Sequence, residues 1–151
     1  MNREFNLIFV KFFLVIVIVI LPSFNNAKEI LIYADNISYD KNENLVARGN
    51  AKIFYKNKLI VSNIIIYNKI DEEIILPAKF TFKDENNNFY QGENGFFNNN
   101  LNNAVFDNPK IKLNDGSRLI GNKIKRDGHI DIISKGVYSP CKSRIKIGNF
   151  I

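Results

Sequence analysis

The chain has 151 residues, which makes a single domain the default. Its formal charge is +6, but it has no run of five or more basic residues and no basic patch interleaved with aromatics, so nothing marks a nucleic-acid groove. A single His and a single Cys exclude a His/Cys zinc site and an internal disulfide framework.

Met1 to Ala27 follows a secretory pattern. Arg3 and Lys11 precede the apolar run Phe12 to Leu21, and Pro22, Ser23 and the small residue Ala27 follow it. That run is well short of the roughly 20 residues a helix needs to cross a bilayer. Residues 1–27 are expected to be a signal peptide. Counting the run back to Phe5 leaves an uncleaved anchor as the alternative. Export implies an oxidising compartment. The remaining chain is long enough to bury roughly two-thirds of its unfolded surface.

From Ile30 onward the pattern is that of short strands. Ile30 to Tyr39 is rich in Ile and Tyr, and its alternation slips near Asp35-Asn36, as at a bulge. After a turn at Lys41 to Asn44, Leu45 to Tyr55 alternates with Ala51 and Ile53 on one face and Lys52 on the other. Leu59 to Tyr67 follows. Ile74 to Lys83 carries Phe80 and Phe82 on one face, and Pro77 suggests an edge or a bulge. Phe89 to Phe97 is weakened as a strand by Gly92 and Gly95. Ala104 to Leu113 kinks at Asn108-Pro109, and turns at Asp115-Gly116 and Asp127-Gly128 separate the last strands, Leu119 to Ile124 and Ile130 to Tyr138.

These strands repeat. Asp35 answers to Asn63, Glu93 and Asn122, a period of about 29 residues. Tyr39-Asp40 returns as Tyr67-Asn68, Phe97-Asn98 and, weakly, Arg126-Asp127. Gly49-Asn50 returns as Pro77-Ala78, Asn108-Pro109 and Gly136-Val137. A strand-turn-strand unit of this size cannot bury its apolar face alone and must stack on its neighbours. The fold class is therefore all-β. Strand and turn spacing fit a sandwich or a roll, and the regular period favours an open antiparallel roll of about four units.

No constellation points to catalysis, and no cofactor is expected. His129 sits in a turn, and pairs such as Glu72-Glu73 and Asp84-Glu85 read as solubilising loop charges without apolar surroundings. Cys141 is a lone thiol, which suggests intermolecular pairing or a thiol without a role.

Ala34-Asp35 with Tyr39-Asp40, followed by Ala47-Arg48-Gly49-Asn50-Ala51-Lys52-Ile53, resembles the repeat of the OstA-like domain. That domain occurs in the lipopolysaccharide-transport proteins of the LptA and LptD type. Gly136-Val137-Tyr138-Ser139-Pro140-Cys141 looks like the segment that follows the domain in LptD, which makes the N-terminal domain of LptD the nearer match. The usual second Cys and Trp-containing segment are missing, so the resemblance is to that domain without its β-barrel.

The resemblance implies a curved, open β-roll in the periplasm, over residues 28–138, with 139–151 as a linker. It implies lipopolysaccharide as ligand, an LptA-like roll as edge-to-edge partner, and an outer-membrane barrel as a partner in trans. On the alternating pattern, the lipid-facing inner face is expected at Ala51, Ile53, Ile64, Ile66, Phe80, Phe82, Phe106, Ile111 and Leu113. The partner edge is expected at Ile30, Ile32 and Ala34, and an intermolecular disulfide at Cys141. A non-functional fragment of a longer LptD is one alternative, and two other classes compete. One is an exported structural or adhesive β-repeat protein without lipid, which a tightly packed interior would favour. The other is an enzyme, which would need convergent carboxylates on one face.

Overall fold

A computed structural model describes residues 30–98 and 100–140. The expected signal segment and Cys141 lie outside the described residues. Twelve antiparallel strands form one folded sheet. Four run unbroken across it: β3 (Leu45–Tyr55), β4 (Lys58–Asn68), β7 (Phe89–Asn98) and β8 (Asn103–Lys112). The others come as split pairs: β1 (Ile30–Tyr33) with β2 (Asn36–Tyr39), β5 (Glu73–Leu76) with β6 (Phe80–Lys83), β9 (Arg118–Ile120) with β10 (Lys123–Asp127), and β11 (Ile130–Ser134) with β12 (Val137–Ser139).

Every break or kink falls along one line, so the sheet folds there into two leaves. The front leaf orders β1, β3, β4, β6, β7, β8, β9 and β12 through residues such as Ile32, Ile53, Ile60, Phe82, Tyr90 and Ile111. The rear leaf orders β2, the other halves of β3 and β4, β5, the other halves of β7 and β8, β10 and β11.

The chemistry of the fold line is that of the repeat. Asp35 donates its backbone N–H to the Gly49 carbonyl at 2.9 Å and accepts the Asn50 side-chain amide at 2.9 Å. Gly49 (φ 76°) and Asn50 (φ 47°) are both left-handed, and a Cβ at Gly49 would strike the Asp35 carboxylate. Two units on, Asn108 (φ 51°) gives its side-chain amide to Glu93, and its backbone N–H bonds the Asn122 carbonyl at 2.8 Å. The 29-residue period therefore marks the corners that fold the sheet.

The leaves close on a shared apolar core. Phe80 and Phe82 of the front leaf meet Phe97 of the rear leaf with ring centroids 5.5 and 5.2 Å apart, and Phe106 lies 5.2 Å from Phe80. Gly92 and Gly95 read as strand-weakening, yet Phe89–Asn98 is continuous. A Cβ at Gly92 would collide with the Phe106 ring and one at Gly95 with the Phe80 ring, so these glycines are the seats of the rings.

The expected inner face needs one correction. Ile64 and Ile66 are half-buried on the outside, and Ile65 between them is fully buried in the core. The cause lies in the partner strand. β3 uses one more residue than β4 between the pairs Ala51↔Ser62 and Arg48↔Ile64, a bulge at Gly49-Asn50. Past it, β4 turns its other side inward, and Ile66 stands opposite the exposed Ile75. Ala51, Ile53, Phe80, Phe82, Phe106 and Ile111 are buried, and Leu113 packs against them.

Candidate functional site

Three places on the roll carry chemistry: the space between the leaves, a charged cluster beneath it, and the outer face of the front leaf. Between the leaves the rings of Phe80, Phe82, Phe97 and Phe106 touch one another and occupy the middle of the interior. Of the residues expected to face lipid, Ala51, Ile53, Phe80, Phe82, Phe106 and Ile111 are, as the chain stands, its core.

The charged cluster was not legible as such in the sequence. Arg126 on β10 is buried. Its Nη2 donates to the Asp84 carboxylate at 3.0 Å and to the Tyr90 hydroxyl oxygen at 3.0 Å. Its Nε lies 3.2 Å from Asp131 as a charge contact without hydrogen-bond alignment. The Tyr90 hydroxyl reaches Asp131 at 3.0 Å, and the guanidinium lies over the Tyr90 ring at 4.7 Å. Asp84 and Tyr90 belong to the front leaf, Arg126 and Asp131 to the rear, so the cluster ties one leaf to the other.

Asp84, read as a solubilising loop charge, is only 2 % exposed. It closes the loop after β6 by accepting the backbone N–H groups of Asn86 and Asn88 at 2.9 Å. Asp40 builds the same loop with Asn42 and Asn44 on the surface. Arg126 and Tyr90 beneath the second copy are what bury it. Burial acts to raise the Asp84 pKa, but the bonds from Asn88 and Arg126 outweigh it and hold the carboxyl below its usual value. For Asp131 burial prevails over Arg126 and Tyr90, and its pKa is raised. Burial likewise pushes the Tyr90 phenol up, against the opposing Arg126 charge. A second tie runs nearby, where buried Lys58 donates to the Asn102 side-chain carbonyl at 2.5 Å; desolvation lowers its pKa, partly offset by Glu85. His129 is exposed in its turn, 4.0 Å from Glu85.

The outer face of the front leaf holds a hollow of about 980 Å³. Leu59, Val61, Phe89, Ile120 and Val137 give it an apolar floor, and Lys79, Lys83, Lys110 and Lys135 stand around it. A smaller hollow of about 680 Å³ lies nearer the β1 edge around Tyr33, Lys52 and Phe54. The sequence placed Lys52 opposite the inner face of its strand, but only the register shows that Val61, Ile120 and Val137 line up with it on this side.

The two ends of the stack are open. Among the described residues, β1 and β2 pair only with β3, and β11 and β12 only with β10 and β9. Ile30, Ile32 and Ala34, the expected partner edge, are half-buried against the core. Leu31 and Tyr33 on β1, Ile37 and Tyr39 on β2, Ile130 and Ile132 on β11, and Val137 and Tyr138 on β12 are exposed apolar or aromatic side chains on the edge strands.

Together these features define a class: a folded antiparallel β-roll, apolar inside and, among the described residues, unsealed at both edges. No protein-family model matches the chain, and no curated protein matches it. Among solved structures the fold is similar to that of LptH from Pseudomonas aeruginosa, described as the LptA homologous periplasmic component of a lipopolysaccharide transport device. The TM-score is 0.60 at 19% sequence identity, over 70% of this chain and 82% of that one.

Proposed function

We propose that this chain is a periplasmic lipid-handling roll of the lipopolysaccharide-transport type, built like the N-terminal domain of LptD. The observation that carries the reading is the roll itself, an apolar interior between two leaves whose end strands, among the described residues, pair on one side only, in a fold like that of LptH. Acyl chains enter between the leaves as these part, and Ala51, Ile53, Phe80, Phe82, Phe106, Ile111 and Leu113 then contact them, joined by Ile65. The β1–β2 edge accepts a strand of an LptA-like partner by main-chain hydrogen bonds. Cys141 pairs with a cysteine of another polypeptide, such as an outer-membrane barrel.

The ring-filled interior favours a second reading, a structural β-repeat protein whose inner face is core alone. One experiment separates the two. Photoreactive side chains are placed singly at Ile53, Phe106, Val61 and Ile120, and the exported protein is irradiated with lipopolysaccharide. Capture at any of these sites supports lipid handling. No capture at any of them, in chains shown to be folded, leaves the structural reading.

A further inference from the structure

We infer that the outer face of the front leaf is a separate binding site for a phosphate-bearing lipid. This rests on the lipid-handling reading and adds a site to it. The geometry is one continuous row across the leaf. Val61 stands opposite Thr81, Thr81 opposite Gln91, Gln91 opposite Lys110, Lys110 opposite Ile120, and Ile120 opposite Val137. At the usual strand spacing that row is about 24 Å long, and it continues through Lys52 and Tyr33 to the edge. The adjoining row brings Leu59, Lys83 and Phe89 side by side.

The row sets the cationic Lys52 and Lys110 beside the apolar Val61, Ile120 and Val137, with the polar Thr81 and Gln91 between them, which is what a molecule with both chains and anionic groups complements. Lys79, Lys83, Lys110 and Lys135 take part in no ion pair among the described residues. The acid that lines the hollow, Glu93, is held by Asn108 at the fold line. The Lys83 ammonium lies 5.6 Å over the Phe89 ring, and so stands above the apolar floor. The hollow of about 980 Å³ is within the size range of ligand pockets.

An extended peptide is the poorer occupant. The backbone groups of β4, β6, β7 and β8 are already engaged in the ladder, so this face offers no strand edge to augment. A ligand must bind through side groups, with chains on Val61, Ile120 and Val137 and phosphate between lysines. Unlike the interior, this face needs no parting of the leaves.

The test uses the unaltered full chain with a short-chain phosphatidic acid carrying a diazirine in its acyl chain, and maps the labelled residues by mass spectrometry. Labelling of the segments holding Val61 and Ile120 is expected. Lys83→Glu with Lys110→Glu should weaken binding at least tenfold, and Lys83→Gln with Lys110→Gln less; circular-dichroism melts check that each is folded. Phosphatidylcholine of the same chain length should bind at least tenfold more weakly than phosphatidic acid, and added salt should weaken the latter. Labelling confined to Ile53, Phe97 or Phe106 overturns the outer site and leaves lipid handling intact. Equal binding of inorganic phosphate and phosphatidic acid overturns the lipid specificity. No binding of either lipid, with no lipopolysaccharide captured, overturns both readings.

Discussion

Asp84 and Asp131 flank the same guanidinium and are shifted in opposite directions. The lowered Asp84 contributes stability that is complete above the ordinary carboxylate pKa and lost as pH falls through its folded value. The raised Asp131 contributes stability that is complete below the ordinary value and lost as pH rises through its folded one. The two single amides should therefore titrate in opposite senses. In denaturant melts from about pH 2 to about pH 7, Asp84→Asn should fall further behind the parent as pH rises, whereas the Asp131→Asn deficit should shrink. Parallel profiles would mean that the two carboxyls do not share one cation as the geometry requires. The sequence held a faint sign of this cluster. The aromatic that recurs at Tyr39, Tyr67 and Phe97 gives way to Arg126 in the fourth unit. Tyr67 and Phe97 pack on the core, so the arginine takes an inward position, where a charge must find partners. The partners lie 42 residues before it and 5 after it, at Asp84 and Asp131, and only the folded sheet brings them together.

At the scale of elements, the strands and their corners were readable because side-chain alternation and fold-line residues repeat. Asp35, Glu93 and Asn122 were found by spacing, and each stands at a corner. The facing of β4 was not readable, because the bulge that reverses it lies in β3 and nothing in Ile64-Ile65-Ile66 distinguishes three identical residues. The edges follow the same logic. Ile32 stands opposite Ile53 and packs on the core, so a proline there would disturb the fold as well as the edge. Ile37 is the better probe, half-exposed on a strand whose residues are all exposed. Lysines on edge strands discourage edge-to-edge pairing. Ile37→Lys should alter stability by no more than about 0.5 kcal/mol and weaken association with an LptA-type roll several-fold in sedimentation. Unchanged association would remove β2 from the docking edge.

On the scale of the whole molecule, the backbone hydrogen bonds of the sheet join each strand only to its ladder neighbours, which is the wiring of a stack whose units could open one by one. The leaves are held as one body by ties that skip along the chain: the ring cluster, Lys58 to Asn102, and Arg126 to Asp84 and Tyr90. Of these, the arginine cluster alone joins β10 and β11 to the start of the front leaf's middle strands. Removing its cation strands two carboxylates at a buried site, and breaking such a pair costs about 3–5 kcal/mol. Arg126→Ala should lose stability of that order, and the loss should not be uniform. The β9–β12 end should exchange its amide hydrogens much faster than the parent does, while β3, β4 and β6 keep most of their protection. If lipid enters between the leaves, this variant should also admit it more readily, giving stronger photocapture at Phe106 for the same amount of folded protein. Protection lost evenly over all strands would show instead that the stack opens as a single unit, with the cluster contributing to its stability but not dividing it.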